Sequence, residues 1–434
     1  MRQKKLLCAV LTVFFMLSLG TQTMAGEVDI LVRKLVEKGI LNKEEGDKIL
    51  QETKQEAAKE KEQAVKEAKA AVAKDAKEGK FPGLPEWIAK TKFTGDFRLR
   101  YQWESRQIDS TSNTDYDRNR GRVRVRLGLE TEVAKNLKFL FGLASGSNDP
   151  RSTNFTFSGD SDKKQINIDY AYVDYTPYTW MKAQAGKMKN PVYKVSELMW
   201  DEDINPEGAA AQFNWNIRDS FSLFMNAGVF VVEEYSKDAN DPYMYVIQPG
   251  FIWKPGACTQ LKYALGYTEF DNLKGNSFKY SSGSNTLVLD KKANKVLKYD
   301  YNAITMAGEL GFKGPFRGAV PYCALIAEYA HNTHPSSNNN AYLTGFYFGQ
   351  EKVRERGQWQ VKYMWRRIER DAVPDFLPES EFYAGSTDVQ GSKLAFQYGL
   401  MKNVWMGLNY YRAGKIHGDS EVQNMMQTDL NLRF

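Results

Sequence analysis

The chain has 434 residues, 13% of them aromatic and 26% charged, with a formal net charge of +6 at neutral pH. An excess that mild does not argue for a nucleic-acid partner. Beyond residue 25 no apolar run approaches the ~18 residues that would cross a bilayer as a helix, so the mature chain is not expected in the inner membrane by helices.

The first element is an export segment. Arg2, Lys4 and Lys5 precede an apolar run over residues 6–19, followed by Gly20 and Thr23-Met24-Ala25. A basic start, a short apolar core and a small residue before the cut make a signal peptide, 1–25, with cleavage after Ala25. The run is too short for a spanning helix, and Cys8 has no lipobox around it.

Residues 26–80 read as a periplasmic helical segment. Val28, Leu31, Val32, Leu35 and Val36 recur at helical spacing. Gly39 breaks the pattern, and Asn42 is placed to cap a second helix. Residues 48–80 are a helix-forming mixture of Ala, Lys, Glu and Gln. Ala58, Val65 and Val72 repeat every seven residues, but Lys61 and Asp75 fall at the matching inner positions. Two readings stay open, a weak coiled coil helping a trimer or a solvated spacer. Phe81-Pro82-Gly83-Leu84-Pro85 stops the helix, and 81–89 is a linker.

From Lys90 the period changes to two. Phe93, Phe97, Leu99, Tyr101 and Trp103 alternate with Thr94, Asp96, Arg98, Arg100 and Gln102. Val123, Val125, Leu127 and Leu129 interleave with Arg122, Arg124, Arg126 and Glu130. About sixteen such segments follow to the end, where Met426, Thr428, Leu430, Leu432 and Phe434 oppose Gln427, Asp429, Asn431 and Arg433. One face suits lipid, the other water, and an aromatic closes the chain. Connections alternate between short turns such as Ala134-Lys135-Asn136 or Met401-Lys402-Asn403 and long stretches near 104–120, 147–164, 189–207, 233–242, 270–299, 333–340, 370–390 and 414–424. The expected fold is all-β and transmembrane: an antiparallel barrel of about 16 strands over 90–434, closed because no backbone polar group can be left bare in lipid.

In such a barrel the polar parity faces water. Arg98 and Arg100 on the first strand and Arg122, Arg124 and Arg126 on the second would form a basic ladder, joined by Lys362 and Arg366. Guanidinium groups along a pore favour anions over cations. Equally, they could pair with Asp96, Glu130 and Glu132 and merely stiffen the wall. The third long connection, near Lys187, carries Glu197, Asp201, Glu202 and Asp203. Folded inward against basic walls, these acids would set a transverse field across a constriction. A calcium or magnesium site and a plain solvated loop are the competing readings.

The stretches Gly-Lys-Met-Lys-Asn-Pro (186–191), Trp-Asp-Glu-Asp-Ile-Asn-Pro-Glu-Gly-Ala-Ala (200–210) and Pro-Glu-Ser-Glu-Phe-Tyr-Ala-Gly (378–385), with the opening at 31–41, resemble the bacterial putative-porin family, itself distantly similar to phosphate-selective porins. The resemblance spans essentially the whole mature chain. It implies a sixteen-stranded, trimeric diffusion channel of the outer membrane, in contact with its lipid and passing small hydrophilic solutes and ions. It does not name the solute.

No catalytic site is expected. The chain has three histidines, His331, His334 and His417, and the first two would face opposite sides of a strand. It has no Gly-x-Ser-x-Gly elbow and no Gly-Lys-Ser/Thr phosphate loop. No cofactor or metal is implied. Cys258 and Cys323, assigned to strands nine and eleven, would sit ~9–10 Å apart across two strand spacings, beyond disulfide reach. The alternative to a channel is a non-conducting structural barrel that tethers the envelope through its helical segment.

Overall fold

A computed structural model describes residues 31–32, 34–53, 55–56, 59, 63, 88, 90–107, 115–236, 240–316, 320–418 and 421–434. The signal segment, the heptad positions Ala58, Val65 and Val72 and most of the 81–89 linker lie outside them. The chain divides into two compact units, Met1–Thr91 and Lys92–Phe434.

In the first unit, helical residues 34–37 end at Gly39, whose φ of 69° is the left-handed value that favours glycine. Gly39 N donates to Val36 O at 3.1 Å and Ile40 N to Leu35 O at 3.0 Å, a Schellman closure of the helix. A second helix runs over 43–53. Asn42 caps it: Glu45 N donates to Asn42 Oδ1 at 2.8 Å, and Asn42 N donates back to Glu45 Oε2 at 3.1 Å.

The second unit is built from β1 (Lys92–Gln107), β2 (Asp115–Ala134), β3 (Leu137–Ser145), β4 (Phe155–Thr156), β5 (Ile166–Tyr178), β6 (Met181–Lys187), β7 (Glu207–Arg218), β8 (Phe221–Val231), β9 (Tyr243–Gly256) and β10 (Thr259–Asp271). It continues with β11 (Leu287–Leu289), β12 (Lys295–Leu297), β13 (Asn302–Lys313), β14 (Tyr322–Asn332), β15 (Asn340–Gly349), β16 (Trp359–Ile368), β17 (Val389–Met401), β18 (Val404–Lys415) and β19 (Val422–Arg433). The two-residue β4 pairs with β2, and β11 with β12 makes a small hairpin in a long connection. The other sixteen strands pair antiparallel, each with its neighbours in the chain, and β1 pairs with β19 from Asp96↔Arg433 to Arg106↔Gln423. The barrel is therefore closed, and none of its sixteen strands has an unpaired edge.

The seam ends on the terminal aromatic. Gly95 and Phe434 exchange backbone hydrogen bonds of 2.8 and 2.9 Å. A Cβ on Gly95 would stand 2.4 Å from the Phe434 ring, so only glycine lets that ring lie there.

The two-residue parity holds along the wall. On β19, Gln427, Asp429 and Asn431 are buried, whereas Leu430 is exposed on the outside. Turns of two residues join β2 to β3 and β17 to β18, and Asn136 and Asn403 take φ 62° in them, as tight hairpins require. The opposite end carries the long connections, of which 188–206 and 369–388 turn into the barrel and bury Met188, Leu198, Phe382 and Tyr383. Outside, Tyr178, Trp180, Phe213 and Trp215 stack in sequence, an aromatic girdle of the kind that sits at a lipid–water boundary.

Both cysteines of the unit are free thiols. Cys258 lies in the turn after β9 rather than on a strand, because that strand already ends at Gly256. Cys323 is on β14.

Candidate constriction and pore lining

The arginine ladder follows from strand register. β1 against β2 sets Arg98 opposite Arg124, Arg100 opposite Arg122 and Asp96 opposite Arg126; β19 sets Asp429 opposite Arg100 on the other side. With period two, all of these point inward. Arg100 grips Asp429 with two hydrogen bonds, 2.7 and 2.8 Å. Its Nη1 also donates to Glu381 at 3.2 Å. Asp96 bridges Arg124 Nε and Arg126 Nε at 2.9 and 2.8 Å. Arg122 donates to Gln102 and Ser152, and its Nη1 lies 3.9 Å from Glu381. Arg98 donates to the neutral Asn154 at 2.7 Å and makes no ion pair among the described residues.

The partners differ from those the sequence suggests. Asp96 does pair with the ladder, but Glu130 pairs with Lys138 at 2.8 Å and lies 3.9 Å from Lys92. Four residues of strand separate Glu130 from Arg126, ~13 Å at the rise of a β-strand. Asp429, Glu381 and Asp203 neutralise the arginines instead.

The connection 188–206 crosses the interior because β14 holds it. Glu328 accepts the backbone N–H groups of Val195 (2.6 Å), Ser196 (2.9 Å) and Leu198 (3.3 Å). Gln248 clamps Tyr193 by both main-chain groups at 2.8 Å. Glu197, Asp201, Glu202 and Asp203 line one chamber as a result. Asp203 accepts from Arg126 at 3.1 Å and from Thr153 N and Oγ1 at 3.0 Å. Burial opposes its charge, but the guanidinium groups of Arg126, Arg124 and Arg98 hold it below the usual carboxylate range. Burial, with the nearby charges of Glu379 and Glu202, pushes Glu197 up to about 8 against the pull of Lys393 and Lys194. Burial and the charges of Glu197, Glu381 and Asp203 push Asp201 up to about 10. Both shifts run towards the neutral acid, opposite to that of Asp203.

Lys187 does not join them. It is the last residue of β6, on the outward parity, with Nζ 2.9 Å from Glu207 on β7. The connection begins only one residue later. Arg366 lies on the inward face of β16 but lines neither chamber, because Glu379 bonds its guanidinium, the Phe382 ring stands 4.2 Å from it, and Glu197 O accepts from it at 3.2 Å. Lys362 does line the inner chamber, 5.8 Å from the Tyr347 ring.

A second connection, 369–388, also turns inward, which its length and motif in the sequence do not reveal. Glu379 receives Arg366, Lys393 Nζ at 2.6 Å and Tyr411 OH at 2.8 Å. Burial opposes its charge, but Arg366 and Lys393 keep it well below the usual range. Tyr383, Ala384 and Gly385 all take positive φ, from 51 to 73°. That tight turn is held by Tyr383 N donating to Gln423 at 2.7 Å and Tyr383 OH donating to Glu421 at 3.1 Å.

Two chambers meet at these loops. The one towards the long connections has about 1000 Å³ and the other about 400 Å³. The larger is lined by seven basic residues, Arg106, Arg118, Arg120, Arg122, Lys163, Lys164 and Lys415, against four acids, Glu104, Asp149, Glu381 and Glu421. The ladder therefore extends to Arg106, Arg118 and Arg120, which a continued period-two count along β1 and β2 could have found. Acids already engaged with Arg126 and Lys393 make poor cation ligands, and no group of three metal-ligating side chains occurs among the described residues.

A closed sixteen-stranded barrel with a polar interior narrowed by inward connections is a porin-type channel. The chain belongs to the family described as putative porin, whose sequence profile matches residues 102–295 and 284–434. Among solved structures it is similar to Pseudomonas putida OprB at high pH, with 12% identity, a TM-score of 0.51, and 80% of this chain and 96% of that one covered. A mutant of the Rhodopseudomonas blastica porin aligns at 10% identity and TM-score 0.44, covering 79% of this chain and all of that one. No curated protein sequence matches the chain. Family and fold point to a channel rather than an enzyme.

Proposed function

We propose that the protein is an outer-membrane porin that passes ions and small hydrophilic solutes by passive diffusion, with a mild preference for anions. The observation that carries this reading is the charge of the larger chamber, since the smaller one is lined by seven basic and seven acidic residues. Basic residues outnumber acids seven to four around the larger chamber, and in a confined, low-dielectric passage such an excess attracts anions and repels cations. Arg98, Arg100, Arg122, Arg124, Arg126 and Lys362 would form its basic wall, and Glu197, Asp201, Glu202 and Asp203 its facing loop. Residues 1–25 would direct export, and 26–80 would stand in the periplasm. The outward apolar parity would meet lipid, and the working unit would be a homotrimer.

The density of ion pairs at the constriction favours one competing reading, a non-conducting structural barrel. Recording the purified protein in a planar bilayer under a potassium chloride gradient separates the two. Discrete conductance steps with a reversal potential displaced towards chloride support the porin. Silence from a folded, heat-modifiable barrel would sink it.

A further inference from the structure

We infer that Glu381 sets the charge selectivity of the passage: its carboxylate occupies an anion position on the arginine ladder, and a permeating anion crosses the constriction by exchanging with it. The inference rests on the porin reading and adds to it the residue that controls selectivity. Among the described residues, Glu381 is the one that lines both chambers, so it stands at their junction.

Its hold on the ladder is the kind an incoming ion can replace. Asp429 takes Arg100 by two bonds of 2.7 and 2.8 Å, with both side chains 5% exposed. Glu381 makes one contact of 3.2 Å to Arg100 and one of 3.9 Å to Arg122, and its side chain is 16% exposed. A longer, wetter, single-pronged pair is the weaker of the two. The donors a replacement would use are the ones Glu381 now faces, Nη1 of Arg100 and Nη1 of Arg122, and a guanidinium that loses one carboxylate gains from another anion in its place.

Glu381 is not what fixes its own loop. Two residues earlier, Glu379 is held by Arg366, Lys393 and Tyr411. Ser380 N donates to Asp201 Oδ2 at 2.8 Å, and Ser380 Oγ lies 3.0 Å from both Arg151 O and Glu381 Oε2. Glu381→Gln should therefore leave the connection seated while removing the tethered charge. Its amide can still bond, but it offers chloride or acetate no like-charge competitor.

The test is bilayer recording of wild type, Glu381→Gln and Glu381→Asp in potassium chloride and potassium acetate gradients, with heat-modifiable mobility confirming the fold. The expected result is a several-fold rise in anion-over-cation permeability for Glu381→Gln, with conductance saturating at lower salt, and a near-normal ratio for Glu381→Asp. Wild-type conductance with an unchanged ratio and saturation in Glu381→Gln would overturn the inference and leave the porin reading standing. A Glu381→Gln protein that no longer folds would overturn it too, by making the carboxylate a structural brace. A silent wild type would instead remove the porin reading on which it rests.

Discussion

Arg100 on the first strand and Asp429 on the last, 329 residues apart in the chain, meet across the seam of the barrel in a two-pronged ion pair of 2.7 and 2.8 Å. Strand register puts them opposite one another, and the same pair welds the closure and fixes one rung of the basic wall.

Asp429→Asn should destabilise the barrel. It leaves a buried guanidinium with the looser Glu381 as its one carboxylate and a single neutral acceptor in place of Asp429, and losing the charged partner of a buried pair costs about 3 kcal/mol. A fall in the temperature at which the heat-modifiable band disappears would register it. An unchanged transition would mean that the pair adds nothing to closure.

Replacing Arg122, Arg124 and Arg126 with serine should move selectivity towards cations. The change removes positive charge and also releases Asp96 and Asp203, which Arg124 and Arg126 now neutralise. Reversal potentials measure the shift. If they stay put, the ladder only stiffens the wall.

Anion preference should decline as pH rises through about 8, the value to which burial and the charges of Glu379 and Glu202 push Glu197. Below it Glu197 is neutral; above it the passage gains a negative charge, which favours cations. Glu197→Gln should flatten that step in a pH series of reversal potentials. A step of the same size in the variant would assign it to another group.

Deleting residues 196–203 should enlarge conductance, since they cross the interior. A gentler version is Glu328→Ala, which removes the carboxylate that accepts three backbone N–H groups of the same loop. Bonds to a charged acceptor contribute about 1.5–3 kcal/mol each at most, so the loop should loosen without the barrel unfolding. Noisier single-channel currents would report it, and quiet currents of normal size would place the loop's anchor elsewhere.

Removing residues 27–80 should leave a barrel that folds and shifts on heating, because the seam closes wholly within Lys92–Phe434. Loss of the heat-modifiable form would give the helical segment a part in assembly.

The order of residues fixes local features. Alternation along Val123 to Leu129 assigns each arginine to the inward face, because successive side chains of a strand must point to opposite sides. The terminal stretch to Phe434 reads correctly for the same reason, and the rhythm of Asn136-type turns and long connections gives sixteen strands. Gly39 and Asn42 are equally legible, as their backbone needs are met within a few residues. Which residues meet follows from closure of the barrel. Lys187 looks like a member of the acidic loop but is the last outward residue of β6, and Arg366 looks like pore wall but lies under Glu379 and Phe382. Glu381 reads as one acid in a motif until the 369–388 connection turns inward and brings it to Arg100. Parity is set by the geometry of a single strand, whereas ion pairing between distant residues depends on closure and on which loops the interior can hold. Coulomb energy depends on distances that exist only once the barrel has closed.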